Sequence, residues 1–379
     1  MRPSPVFRVF AFSVCLGCWL AGRQAVAQEV SRQDEQTASK AVNYLASNGQ
    51  AEDGSYSAQA GPAVTALVTT AILRHGRSPD DPLVAKSLKY LQGFVRPDGG
   101  VCPEKTVYGN YETCLAIMCF TEANQDGRYT PLIKKAEAFV KQLQWDEGEG
   151  NDPSDPAYGG AGYGSKKRPD LSNTSFMIEA LKSTGNEENR EAIERALTFV
   201  SRCQNLETEH NTTPFAAKNP DGGFYYTPAA GGSSMAGETP EGGLRSYGSM
   251  TYAGLKSMIY AGVGPDDPRV RAAIQWLRKH YDLESNPGMG KAGLYYYYHT
   301  FAKALAAEGA DTFQDEHGVK HDWRAELRAE LARRQQPNGS WVNDTDRWME
   351  GDPILVTGYA LLALSYCRPQ PSSLRDQSR

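Results

Sequence analysis

The stretch Gln335-Gln-Pro-Asn-Gly339-Ser-Trp341 carries the clearest structural signal in the chain, because variants of it recur. Gln50-Ala-Glu-Asp-Gly54-Ser-Tyr56 has the same spacing, and shorter versions are Asp98-Gly-Gly-Val101 and Asp221-Gly-Gly-Phe224. Glycine in such a turn adopts backbone angles that other residues resist. A turn that recurs along a chain is typical of a repeat protein, in which each repeat is one supersecondary unit.

Most of these turns follow an amphipathic helix. Its marker is a small residue, two variable residues, an aromatic residue and then Leu or Val, with polar residues on the opposite face of a helical period. The copies are Ala41–Leu45, Ser87–Leu91, Ala136–Val140, Ala196–Val200, Ala273–Leu277 and the looser Leu327–Leu331. The pattern therefore predicts six helices with one buried and one solvated face.

A second helix, rich in small and apolar residues, follows each turn and contains a threonine. These threonines are Thr65, Thr113, Thr174, Thr251, Thr300 and Thr357. A helix that is apolar around its whole girth must be buried on all sides. We therefore predict an all-α fold, an (α/α)6 toroid of six helix-turn-helix repeats with inner and outer helix rings. An open solenoid is the alternative, but it would expose one side of every inner helix.

Composition and the ends of the chain set its class. Of 379 residues, 40% are apolar and 22% are charged, which excludes a disordered or fibrous protein. Basic residues flank the apolar run Val9–Leu20, and Ala25-Val-Ala27 is a small-x-small cleavage pattern, so residues 1–27 are predicted to be a secretory signal peptide. We expect a linker at 28–36, the toroid domain at 37–368 and a disordered tail at 369–379.

The charge excludes one class of partner. Removal of residues 1–27 takes away three arginines and no acidic residue, so the net charge falls from −5 to −8. An acidic chain is not expected to bind nucleic acid.

After the signal peptide, no segment is long and apolar enough to cross a membrane. The predicted location is exported: the periplasm, the cell surface or the extracellular space. Five cysteines remain there, Cys102, Cys114, Cys119, Cys203 and Cys367, and their pairing stays open.

Long links between outer and inner helices predict a functional face. Four of them are long, at roughly 146–171, 204–246, 282–293 and 342–353, and in a closed toroid all such links lie at one end. The N-termini of the inner helices converge there, each with about half a positive charge from its peptide dipoles. The face therefore favours an anionic or strongly polarised ligand.

Candidate catalytic residues follow from the threonine register. The residues directly before the six threonines are predicted to form one ring around the axis: Val64, Glu112, Asn173, Met250, His299 and Val356. A buried Glu112 beside His299 forms an acid–base pair or a metal corner. A polar network that merely satisfies its own hydrogen bonds is the alternative.

Candidate ligand-binding residues crowd the same face. They are Tyr108, Asn173, Arg245, Tyr247, Tyr296 and Trp348. Aromatic rings in such a place stabilise a cation, stack on sugars, or only pack. His317 and His321 are spaced to bind a metal, but they precede the last outer helix at the opposite end, where a surface or capping role is expected.

The stretches 335–341 and 50–56 resemble the Q-x3-G-x-W repeat of squalene and hopene cyclases, with Tyr for Trp in the second. The chain from about 37 to 368 is thus similar to the prenyltransferase and squalene-oxidase repeat family. It also resembles that family's exported bacterial members at Lys320-His-Asp-Trp323 and Arg347-Trp-Met-Glu-Gly-Asp-Pro353. The resemblance implies the α/α toroid fold.

The resemblance also implies two catalytic motifs, and both are incomplete. Asp344-Thr-Asp346 is a fragment of the cyclases' D-x-D-D acid motif, which makes Asp344 and Asp346 the candidate acids. Tyr298-His299-Thr300 is similar to the zinc-binding histidine region of protein prenyltransferases, but the preceding D-x-C is missing from 246–251. No cofactor is therefore predicted, and a zinc site lacks support.

The expected function is an exported squalene-cyclase/prenyltransferase-like repeat protein. Its loop-lined cleft is predicted to bind a ligand or partner without the family's catalysis. A terpenoid cyclase-like isomerase and a polysaccharide lyase or hydrolase are the alternatives, so enzymatic activity stays open. The expected partner is a small molecule, isoprenoid-like or glycan, or else a protein.

Overall fold

The computed structural model describes residues 32–164 and 168–368. The predicted signal peptide and the predicted tail lie outside these residues. The outer helices are α1 (residues 32–44, continued by a π-helical turn at Leu45–Gly49), α3 (Pro82–Gln92), α5 (Thr130–Lys141), α7 (Arg190–Arg202), α9 (Pro268–Lys279) and α11 (Trp323–Arg334). Helix α1 is already helical at residue 32, so it includes the last residues of the predicted linker.

The inner helices form a closed ring. They are α2 (Pro62–Arg74), α4 (Gly109–Ala123), α6 (Leu171–Ser183), α8 (Gly248–Tyr260), α10 (Leu294–Glu308) and α12 (Pro353–Tyr366). Each packs against the next, and α12 packs against α2. The predicted all-α toroid is therefore confirmed, and the open solenoid is excluded.

In five repeats, the inner-helix threonine is hydrogen-bonded to the glycine-containing turn. The hydroxyl of the inner-helix threonine accepts a hydrogen bond, 2.9–3.1 Å long, from the backbone N–H of the last residue of the turn before it. The pairs are Thr65 with Tyr56, Thr113 with Val101, Thr174 with Ala161, Thr251 with Phe224, and Thr357 with Trp341. This contact fixes where each inner helix begins relative to its turn.

The turn at residues 335–341 also closes the ring. Gln335 Nε2 donates to the carbonyl oxygens of Gly339 and of Thr37 on the first outer helix, both at 2.9 Å. Gly339 has φ +93°, and a Cβ there would lie 2.5 Å from the Lys40 carbonyl oxygen. Gln50 repeats the arrangement, since its Nε2 donates to the Leu83 carbonyl oxygen at 2.7 Å. In these two turns, the Gln side chain thus joins the turn to the outer helix of the next repeat.

The fifth repeat departs from this pattern. Thr300 is not bonded to a turn; its hydroxyl hydrogen-bonds the carbonyl oxygens of Tyr296 and Tyr297 in its own helix, both at 3.0 Å. The link from α10 to α11 contains an antiparallel hairpin of β1 (Phe313–Gln314) and β2 (Lys320–His321), which the sequence analysis did not predict. Within the described part of the chain, no helix is both long enough and apolar enough to span a membrane.

Candidate functional site

The open end of the ring, where the inner helices begin, is the mouth. Four half-buried tyrosines form what we call the tyrosine floor: Tyr111, Tyr163, Tyr226 and Tyr296. The Tyr111 and Tyr163 rings meet edge to face with centroids 6.3 Å apart. Phe176 lies beneath the floor, 5.2 Å from the Tyr111 ring and 6.3 Å from the Tyr296 ring. Aromatic rings from α4, α6 and α10 thus contact one another at the mouth.

The phenol groups of the floor stay neutral, and each has a hydrogen-bonding neighbour: Tyr359 for Tyr111, Tyr226 for Tyr163, Asp170 for Tyr226 and Ser172 for Tyr296. Burial raises the pKa of Tyr163 to about 12. The Tyr296 hydroxyl lies 2.9 Å from the Ser172 hydroxyl, and the Tyr296 ring lies 6.0 Å from that of Tyr359 on α12. The floor is therefore polar at its oxygens and apolar at its ring faces.

Asp170, which was not among the predicted site residues, lies beside the floor and hydrogen-bonds Tyr226. It caps helix α6: its Oδ1 accepts from the Asn173 backbone N–H at 2.9 Å and its Oδ2 from Asn173 Nδ2 at 2.7 Å. Burial raises the Asp170 pKa to about 6, against the opposing effect of these hydrogen bonds. The spacing of an aspartate three residues before Asn173 is an N-cap signal that could have found it.

Exposed apolar side chains line the rim of the mouth. Val107 and Tyr108 at the start of α4 are 51% and 49% exposed, and Trp348 and Met349 before α12 are 44% and 40% exposed. Trp348 and Met349 have φ of 59° and 64°, a conformation that bulky residues rarely adopt. Such strain persists where surrounding contacts hold it, which is common at binding sites.

Glu350 supplies the contacts that hold this rim. Its Oε1 accepts from the backbone N–H groups of Tyr295 and Tyr296 at 3.0 and 2.8 Å, and its Oε2 from Asn343 Nδ2 at 2.6 Å. A loop of the sixth repeat thereby caps the inner helix of the fifth. The sequence around Glu350 does not predict this role, because two of its partners, Tyr295 and Tyr296, belong to another repeat.

The predicted pairing of Glu112 with His299 is not formed as a hydrogen bond, since Glu112 Oε2 and His299 Nδ1 are both buried without a partner. The Glu112 side chain is 3% exposed, and its Oε1 lies near Gly61, where α2 begins. Thr300 is the seventh residue of its helix, whereas the other five threonines are fourth or fifth, so His299 lies deeper along the axis. Its ring lies 5.8 Å from that of Tyr359 and 6.2 Å from that of Tyr366, both on α12. The register of the fifth repeat therefore differs from that of the other five.

The predicted acids lie on the surface. Asp344 has 86% of its side chain exposed and lies 3.8 Å from Lys291 Nζ. Asp346 is exposed too, and its Oδ1 accepts from the Gly351 backbone N–H at 2.9 Å. Both carboxylates therefore belong to a solvated turn rather than to the interior of the toroid.

The predicted ligand-binding residues divide between the rim, the floor and the buried shell. Tyr108 and Trp348 are on the rim and Tyr296 is in the floor. Asn173 and Tyr247 are only 1% and 2% exposed, so they support the floor from behind. Arg245 is exposed and donates through Nε to the Glu238 carbonyl oxygen at 2.9 Å, which holds its own loop.

Below the floor the axis is filled. Glu179 Oε2 accepts from Lys256 Nζ at 2.7 Å, and its Oε1 pairs with Lys303. Arg74 Nε donates to Glu122 Oε2 at 2.9 Å. The central cavity left among these groups has room for about one water molecule.

Metal ligands do not gather in the described part of the chain. There, no group of three or more His, Cys, Asp or Glu side chains is arranged to hold a metal ion. All five described cysteines are buried and unpaired, and burial raises the pKa of Cys119 and Cys367 to about 12. Such thiols are weak nucleophiles, so packing explains them.

Residues 58–227 match the family model of the squalene-hopene cyclase C-terminal domain. This match confirms the predicted resemblance to the squalene-hopene cyclase-like terpenoid cyclases. A comparison with curated proteins finds no match.

Among solved structures, the chain is similar to variants of the type II terpene cyclase MstE from Scytonema. One, in complex with its substrate geranylgeranyl dihydroxybenzoate, is 12% identical with a TM-score of 0.35, covering 90% of this chain and 99% of that chain. A second with the same substrate is 14% identical with a TM-score of 0.35, covering 90% and 98%. A third, with the product merosterolic acid A, is 13% identical with a TM-score of 0.31, covering 89% and 98%.

Proposed function

We propose that this protein is exported and binds a small ligand, isoprenoid-like or glycan, at the mouth of the toroid, without cyclase catalysis. One observation carries the proposal: side chains fill the axis below the floor, while the floor and rim keep aromatic surface open. A ligand that stacks on Tyr296 and Trp348 needs no interior cavity. The pattern of residues 1–27 supports export.

The placement of the acids supports the absence of cyclase chemistry. A carboxylic acid that protonates an alkene must be held neutral in a site that excludes water. Asp344 and Asp346 are exposed. Asp170 is buried at the mouth, but its carboxylate is engaged by Asn173 as a helix cap. None of the three therefore presents a free acid to a polyene.

Extraction of ligand from the purified full chain, followed by mass spectrometry, identifies the class of ligand. Its affinity is then measured for Trp348→Ala and for Val319→Ala, the matched control, since Val319 is 53% exposed at the other end of the toroid. We expect Trp348→Ala to weaken binding about tenfold, which corresponds to the loss of one stacking contact. Equal affinities of the two variants, or no extractable ligand and no binding of isoprenoids or glycans, contradict the proposal.

The family match favours a terpenoid cyclase as the second candidate. Its test is incubation of the full chain with squalene and with geranylgeranyl dihydroxybenzoate, followed by chromatography and mass spectrometry. Cyclic products that disappear in Asp346→Asn or Asp170→Asn would replace binding by catalysis as the function. Unchanged substrates leave the binding proposal in place.

A further inference from the structure

Glu179 lies between two lysine side chains in the half of the toroid away from the mouth. Lys303 Nζ contacts Glu179 Oε1, and Lys256 Nζ lies 2.7 Å from Glu179 Oε2. The three residues come from the consecutive inner helices α6, α8 and α10, and their side chains are 3–5% exposed. One carboxylate is thus held between two amines in a place that almost excludes water.

The Lys303 amine is set up as a nucleophile. A single carboxylate neutralises only one of the two lysines, and the nearby carboxylate of Glu122 is paired with Arg74. A buried ammonium without a counter-charge is costly, so it loses its proton instead. Burial lowers the pKa of Lys303 well below its ordinary value. A lysine that desolvation keeps neutral is an activated nucleophile.

Lys256 is placed to supply the proton that the carboxylate needs. An amine displaces a carboxylate oxygen only when that oxygen is protonated, because it then leaves as water rather than as an oxide ion. Lys256 Nζ is within hydrogen-bond distance of Oε2, the oxygen that Lys303 does not contact. Burial lowers the pKa of Lys256 to about 7, which suits a general acid at neutral pH.

A space for the released water adjoins the two groups that react. Glu179 and Lys303 both line the central cavity, which has room for about one water molecule, whereas Lys256 does not line it. His299 also lines this cavity, and its Nδ1 is buried without a hydrogen-bond partner. The cavity therefore favours Lys303 over Lys256 as the amine that reacts.

We propose that Glu179 and Lys303 condense to an amide, which is a covalent cross-link between α6 and α10. The Lys303 nitrogen attacks Glu179 Cδ and forms the C–N bond, while Lys256 gives a proton to Oε2. The Cδ–Oε2 bond then breaks, and the departing oxygen takes one proton from the attacking nitrogen and leaves as water. Lys256 ends as a neutral amine. The step consumes no oxidant, reductant or cofactor.

The cross-link changes both the charge and the connectivity of the centre. A buried carboxylate and a buried ammonium are replaced by neutral groups, which removes the cost of keeping charges away from water. The chain between residues 179 and 303 becomes a closed loop, which confines the unfolded state as a disulfide does. The five described cysteines are unpaired, so none of them supplies such a tie within the described part of the chain.

The intact mass of the denatured full chain tests the bond directly, because denaturation separates an ion pair but not an amide. The sample is first shown to unfold cooperatively. We expect its mass to be lower by one water molecule than the sum for the residues present. Trypsin digestion should then give a branched peptide that joins the segments of Glu179 and Lys303. A full mass, with these two residues in separate peptides, overturns the proposal.

Variants assign the lost water to these side chains. Lys303→Met removes the nucleophile, and Lys303→Arg keeps a cation there without a reactive amine, so both are expected to have the full mass. Either one suffices if the other fails to fold. Lys291→Met is the matched control, because it removes the lysine of the exposed Lys291–Asp344 pair, and the loss of water should persist in it. Loss of water in the Lys303 variants overturns the proposal.

The role of Lys256 is tested by the rate of condensation. The fraction of chain that has lost water is followed with time after synthesis, in the original chain and in Lys256→Met. Removal of a general acid typically slows a reaction by about a hundredfold or more, and we expect that effect here. Equal rates in the two chains overturn the mechanism in which Lys256 supplies the proton.

Discussion

The mouth and the axial centre of the same ring differ in what they expose: the mouth exposes aromatic rings, and the centre buries paired charges. At the mouth, four tyrosines are half-buried, and the rim exposes Tyr108 and Trp348. At the centre, Glu179, Lys256 and Lys303 are almost fully buried and paired with one another. One set of helices thus carries a surface that can accept a ligand at one level and a closed polar core at the next. We therefore expect stability to depend on the centre, and the proposed ligand binding to depend on the mouth.

Removal of Glu179 has the largest expected effect. Glu179→Ala leaves two lysines unpaired in the core, and loss of one partner of a buried ion pair typically costs about 3–5 kcal/mol. Chemical denaturation measures the free energy of unfolding. The matched control is Asp80→Ala, which breaks the exposed Arg128–Asp80 pair and is expected to cost less than about 1 kcal/mol. Equal losses in the two variants would show that the centre is not the stabilising region.

Glu350 connects the rim to the ring, so its removal is expected to rank second. Glu350→Ala removes the acceptor of three hydrogen bonds, two of them from the first turn of α10. We expect a loss of about 1–3 kcal/mol, since buried donors are left unsatisfied. Tryptophan fluorescence anisotropy should fall as Trp348 gains mobility. A stable variant with unchanged anisotropy contradicts the role assigned to Glu350.

The two regions are also expected to respond to pH in opposite directions. At the centre, the pKa of His299 is lowered to about 3, so its contribution is present above its ordinary pKa of 6.5 and lost as pH falls toward 3. At the mouth, the pKa of Asp170 is raised to about 6 from 3.8, so its contribution is present below pH 3.8 and lost as pH rises through 6. Each effect is on the order of a few kcal/mol or less.

Single substitutions separate the pH dependence due to His299 from that due to Asp170. Between pH 4 and 6, His299→Phe should make the free energy of unfolding rise less steeply with pH than in the original chain. Asp170→Asn should make it rise more steeply over the same range. Denaturant titrations at several pH values measure both slopes. If both variants change the slope in the same direction, the pKa shifts of His299 and Asp170 do not have the opposite signs assigned to them.

The parts of this molecule that are local in sequence were predictable, and those that join distant repeats were not. Gln335 and Gly339 act within one turn and its neighbouring helix, so their spacing predicted the toroid. His299 was placed by counting from Thr300, but the register of Thr300 differs from that of the other threonines because α10 starts earlier and takes its cap from Glu350. Glu179, Lys256 and Lys303 are charged residues on inner helices that were predicted to be apolar, and only the closed ring brings them together.

The smallest expected effect on stability is at Trp348. Trp348→Gly removes a half-exposed ring but relieves a backbone at φ 59°, which glycine adopts readily. These changes oppose each other, so the free energy of unfolding should change by less than about 1 kcal/mol. Ligand affinity should nevertheless fall as far as in Trp348→Ala, because both variants lack the ring. If Trp348→Gly instead destabilises the chain as strongly as Glu350→Ala, the Trp348 ring is a packing element. The mouth would then contribute to stability, as the centre does.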